Sequence, residues 1–295
     1  MKDNDLHAYL IMAHDNLHVL NILLEMIDDE RNHIYFHLDK KSSIDLDDIY
    51  KVKKAKFIPI INRIKVYWGN YTQIQLELAL FEEAYNNGPY LYYHLLSGVD
   101  LPIKTQDYIH SFFKDNNGKE FVGFAQGINN EQDCSRKIKR LHFLTEWQRT
   151  NNIFKRIMMS SIVKYLELIV NSIYKNNDSY IYKKGANWVS ITNDCCNYIL
   201  QQKAFIKKHF RYSICGDEIF LQSLIFNSPF YHRCYSIKDE YEGCMRAIDW
   251  TRGSPYEWQE SDFDELIYSN KLFARKITDS NIDLALIIRN HFLKH

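Results

Sequence analysis

Over its first 125 residues the chain alternates short apolar runs with amphipathic stretches, and no other feature narrows the fold as far. "HAYLIMA" (7–13) reads as a strand, and an amphipathic stretch covers 16–28. "HIYFHLD" (33–39) is a second strand, and "AKFIPI" and "RIKVYW" offer one or two more. Thr72 with Gln75 resembles a capping box, and the helix after it puts Ile74, Leu78, Phe81 and Tyr85 on one face. The turn "NNGP" precedes a strand at 90–96, a helix from about Gln106 to Phe113 and a strand at 120–125. Such alternation demands crossover connections. The expected fold class is therefore α/β, a mainly parallel sheet with helices on both faces. Ligands bind such sheets at the carboxyl ends of strands. Two polar loops occupy such ends, "HLDKKSS" (37–43) and "SGVDLP" (97–102).

Residues 126–180 break the pattern. Residues 152–178 read as one long amphipathic helix, with Ile157, Val163, Leu166, Ile169 and Ile173 at near-helical spacing and Lys155, Arg156, Lys164 and Lys175 as a basic edge. It is either a packed helix inserted in the fold or an interfacial helix that meets membranes or a lipid-linked acceptor. From 187 the alternation resumes: "NWVSIT" as a strand, 194–209 as a helix, 217–226 as another. With no linker or repeat, one domain over 1–295 is expected.

Lysine plus arginine (37) equals aspartate plus glutamate (37), which argues against a general nucleic-acid binder. The six cysteines form no CxxC and no metal-ligand spacing with histidine, and they read as free thiols of a reducing compartment. The opening residues contain no signal-peptide core, and no 18-residue apolar run follows. A cytoplasmic protein is expected, with peripheral membrane contact through 152–178.

Three groups of residues carry candidate chemistry. Asp217 and Glu218 follow Gly216 and open a helix, where the macrodipole favours acids; one of them is alternatively a carboxylate at a cleft mouth that takes a proton from a hydroxyl. Arg252, Arg275 and Lys276 lie near the carboxyl end among Trp250, Tyr256 and Trp258. They are either solvated charge or the cations that stabilise a departing diphosphate. The three Asp-x-Asp triplets (Asp3, Asp45 and Asp262 lead them) follow no apolar strand, so no metal site is expected. P-loop, GxGxxG, HExxH and GxSxG are all missing.

Taken in order, "AYLIMAHDN", "FHLDKKS", "VYWGNYTQIQLELALFEEA", "YLYYHLLSGVDLPIKT", "GANWVSIT", "GDEIFLQSLI", "DWTRGSPYEW" and "LFARKI" resemble the core-2/I-branching enzyme family, glycosyltransferase family 14, which includes peptide O-xylosyltransferases. The resemblance spans roughly 6–126 and 183–284. It implies a GT-A-type fold with a nucleotide-sugar half (1–126), a variable helical insertion (127–180) and a catalytic half (181–295). It further implies a bacterial-type inverting transferase that uses a UDP-sugar without a divalent metal or other cofactor, and acts on a glycan or lipid-linked oligosaccharide. By the same resemblance Glu218 is the base, and Arg252 and Lys276 hold the diphosphate. His14, Asp39, Ser97 and Asp100 line the donor side with the Trp68–Thr72 turn, and Trp250 meets the acceptor. The cysteines do not reproduce the disulfide framework of the animal members.

Overall fold

β1 (His7–Ala13) sits at the centre because it is apolar on both faces: Tyr9, Ile11 and Ala13 pack into one core, Ala8 and Leu10 into the other. A computed structural model describes residues 5–142, 153–173 and 180–293. The first core also takes α1 (Leu17–Met26), α3 (Gln106–Asp115) and the last helix (Ile282–Leu293); the second takes α2 (Tyr71–Asn87), α6 (Asn193–Gln201) and α8 (Asp217–Phe226).

Around β1 the strand order is β3 (Lys56–Pro59), β2 (Asn32–Leu38), β1, β4 (Tyr92–Ser97), β6 (Ser190–Thr192). All pairings are parallel except the last, which is antiparallel. The order reverses beside β1, so the crevice between the carboxyl ends of β1 and β4 is the switch point where such sheets bind ligands. Met12 pairs with His37 on one side and Ser97 on the other, which puts His14, Asp39 and Ser97 on one rim. A second sheet, β5 (Leu101–Pro102), β8 (Phe273–Arg275) and β7 (Arg246–Ile248), grows from the loop after β4.

Several expectations change. "RIKVYW" is no strand: its backbone is claimed by the rim, Ile64 N–H donating to His37 Nε2 (2.9 Å) and Val66 N–H to Asp39 Oδ2 (3.3 Å). "EFVGFA" makes only isolated bridges, Glu120 to Cys234 and Phe121 to Ser190. Gly123 then runs against the Glu240 backbone, where no ladder can continue. The expected helix 194–209 is two, α6 and α7 (Lys203–Phe210). Thr72 is not a cap: Asn70 caps α2, while the Thr72 hydroxyl accepts from Tyr67 N–H (3.0 Å). In the middle segment lie α4 (Ile128–Ile138) and α5 (Ile153–Ile173); position 152 and positions 174–178 of the expected long helix lie outside the described residues. Among the described residues no helix is long and apolar enough to cross a membrane, and all six cysteines are free thiols.

One close approach fixes the start of α8. Gly185 N–H donates to the Glu218 carbonyl (2.9 Å), and a Cβ on Gly185 would overlap the Gly123 carbonyl. Gly185→Ala is expected to cost about 2 kcal/mol or more, because backbone rather than a flexible side chain must give way. Urea denaturation checks this; a cost within experimental error would show that the segment relaxes freely.

Candidate active site

The loop after β1 is tied to the far end of the chain. Asn16 adopts a left-handed conformation (φ 56°), and its side chain accepts from Asp279 N–H (2.9 Å). Asp279 in turn caps α1, accepting from Val19 N–H (2.9 Å) and His18 N–H (3.3 Å). This helix start, where a phosphate sits in many nucleotide-binding folds, already carries a carboxylate. A diphosphate bound nearby must therefore be met by side-chain cations.

The two buried acids of the rim are fully committed. Asp39 accepts from the N–H groups of Lys41 (2.8 Å) and Val66 (3.3 Å). Asp100 accepts from Ser97 N–H (2.7 Å) and from Arg275 (2.7 Å), and Arg275 also donates to the Ser97 hydroxyl. The Arg275 guanidinium stacks on Trp188, 4.2 Å from the ring centre. Each of the four carboxylate oxygens thus already accepts a hydrogen bond from the protein. Among the described residues no group of three or more acids, histidines or cysteines is placed to hold a metal. Asp45 caps a turn and Asp262 faces Gln259 and Arg252, while Asp3 lies outside the described residues.

The cations near the carboxyl end have unequal partners. Lys276 pairs with Glu257 (3.0 Å), and its charge helps hold the Asp15 carboxyl below its usual range, after the larger effect of the His14 hydrogen bond. His14 itself is exposed, 3.2 Å from Asp15. Arg252 is bound by three carboxylates, Asp249, Asp262 (3.0 Å) and Glu265 (3.1 Å), and lies over the Tyr256 and Trp258 rings. It acts as a strut of its loop, on which Trp250 is half exposed. Sequence reasoning passed over Arg246. This side chain is buried against Phe273, donates to the Cys244 and Val189 carbonyls and to the Ser190 hydroxyl, and keeps an unpartnered Nε. Its only sequence signal is a charge inside the run "CMRAI".

Glu218 stands at the start of α8 with its side chain 30% exposed, 3.5 Å from Lys137 Nζ and 3.4 Å from Lys184 Nζ. Both lysines also hold Asp133 of α4 (2.9 and 3.2 Å). The N-cap of α8 is Gly216, not Asp217. Asp217 points inward, accepting from Gln73 (3.1 Å) with one oxygen unpartnered. Burial, reinforced by the Glu218 charge, pushes its carboxyl up to about 7. Glu77, one turn beyond Gln73 on α2, is fully buried, accepts from Asn187 (2.8 Å) and is raised by burial and then by Asp217. Segment 184–189 links the parts, running from the Gly185–Glu218 contact to Trp188 under Arg275.

The raised Asp217 value has a stability consequence. The folded chain holds this proton more tightly than the unfolded one, so the group's contribution falls as pH rises from about 4 through about 7. Asp217→Asn is expected to gain in melting temperature relative to the parent between about pH 5 and about pH 8. Parallel pH profiles would show that Asp217 ionises as freely in the fold as in solution.

The model of the core-2/I-branching enzyme family matches residues 7–275 of this chain. A search of the curated proteins finds no match. The chain belongs to the core-2/I-branching enzyme family, and it is a glycosyltransferase with a GT-A-like fold.

Proposed function

We propose that this enzyme moves a sugar, N-acetylglucosamine before xylose, galactose or glucose, from a UDP-sugar to a hydroxyl of a glycan acceptor, with inversion and without a metal. The reading is carried by Glu218, a partly exposed carboxylate on a helix start whose backbone is pinned by Gly185. Its carboxylate takes the proton of the acceptor hydroxyl while that oxygen attacks the anomeric carbon from the face opposite UDP. The bond from that carbon to the diphosphate oxygen breaks, and the leaving charge is met by cations. Lys276, whose charge already acts on Asp15 in the loop after β1, is the first of these, backed by Arg275 and the buried Arg246.

Arg252 takes a different part in this reading. A guanidinium ringed by three carboxylates sits in a net negative field that disfavours a further anion, so its role is to hold the loop bearing Trp250 toward the acceptor. Asp39, His14, Ser97 and Asp100 shape the nucleoside and sugar side of the rim. A hollow lined by Gln126, Gly127, Tyr182 and Lys184 opens beside the lysines that hold Glu218 and suits part of a glycan. The reaction fits one step in building a bacterial surface polysaccharide. A sugar-nucleotide-binding protein without turnover is the second reading, favoured by the two ammonium groups on Glu218.

In excess EDTA, UDP is expected to raise the melting temperature and GDP, CMP and ADP are not, since a ligand of the folded state stabilises by mass action. A shift that appears only after Mn²⁺ is added would overturn the metal-free reading. Lys276→Met should abolish the UDP shift at unchanged intrinsic stability, whereas Arg252→Met should lower the melting temperature and keep the shift. The reverse pattern would return the diphosphate to Arg252. Glu218→Gln is expected to lower UDP release in the presence of acceptor by about 100-fold or more; near-parental turnover removes Glu218 as the base, and no release from the parent with any donor and acceptor favours the second reading.

A further inference from the structure

Among its described side chains, α5 turns few toward the protein. Val163 is buried, and Glu167 turns inward to His142 (3.9 Å). At ~100° per residue, Ile157, Ile162, Tyr165, Leu166, Leu168 and Ile169 fall within about half the circumference on the remaining side. All six are exposed, Leu168 by 71% and Tyr165 by 66%. Among the described side chains of that arc the polar one is Ser161, whose hydroxyl donates to the Ile157 carbonyl (3.0 Å).

The charge around this arc is one-sided. His142 N–H donates to the Tyr212 carbonyl (2.8 Å), so the segment 136–142, α5 and the end of α7 meet at His142. Residues 136–142, 153–173 and 203–212 together contain eleven lysines and arginines and a single acid, Glu167, in a chain whose total charges balance. Arg136, Lys137 and Lys203 are spent on Asp133, Glu218 and Glu82. Lys164 on α5 and Arg140 and Arg211 beside it are exposed.

We infer that α5 docks flat on an anionic lipid surface, its apolar arc entering the headgroup boundary and the surrounding cations meeting lipid charge. Apolar area beside unpaired cations is the pattern of an interfacial helix, whereas a nucleic acid or a soluble acidic partner would leave the apolar half unused. The inference stands apart from the chemistry proposed above, because lipid binding is read without turnover.

The full chain is to be sedimented with vesicles of phosphatidylcholine alone and with added phosphatidylglycerol. Binding is expected to the anionic vesicles, to weaken with salt, and to fall about tenfold or more in Ile162→Glu/Leu168→Glu at an unchanged melting temperature. Failure to bind anionic vesicles, equal binding to neutral ones, or undiminished binding by the double variant would each overturn it. So would a drop in the variant's melting temperature, which means the chain covers its own arc. A dimer in solution that the same two substitutions dissociate would also do so, since a second copy then covers it.

Discussion

The Arg275 guanidinium, shared between the Asp100 carboxylate and the Ser97 hydroxyl, is the contact on which the arrangement of the site depends. It joins the tip of β4 to the small sheet, beside the Leu101–Ala274 pairing and the Ile277 N–H to Val99 carbonyl bond. Asp100 is almost wholly buried. Breaking such a pair strands a charge and costs about 3–5 kcal/mol, more than the pair itself contributes over an apolar alternative. Its value is therefore geometric: it sets where Lys276, the next residue, stands relative to the crevice beside β1.

How much of this was legible follows from where each residue's backbone and charge are satisfied. β1, β2 and β4 could be read because strands buried on both faces must be continuous apolar runs. β7 and β8 are three residues each, too short for any period to show. "RIKVYW" looks like a strand, but its hydrogen bonds go to the His37 and Asp39 side chains, which composition cannot reveal. The helix start at Glu218 and the polar loop after β4 stood out in the sequence as acids and turn residues at element ends. Their partners did not. Lys137 and Lys184 reach Glu218 from an insertion and from a loop, with no local pattern to mark either. The three acids that bind Arg252 are scattered over 249–265, so no local spacing announces them.

The balanced net charge conceals an uneven distribution. Acids gather around Arg252 and the loop that carries Trp250, where they stiffen a segment. Bases gather where α5 meets the protein, with few acids to answer them. Around Glu218 the two signs interleave, and beneath it burial raises both Asp217 and Glu77, the Glu218 charge adding to the first and the Asp217 charge to the second.

The seam between Gly123 and Gly185 separates two kinds of support for Glu218. Its backbone is gripped by glycine-lined main chain of the core, while its carboxylate is addressed by Lys137 of α4 and by Lys184 of the segment beside Gly185. A change confined to α4 would leave the backbone position of Glu218 in place and alter only the company its carboxylate keeps.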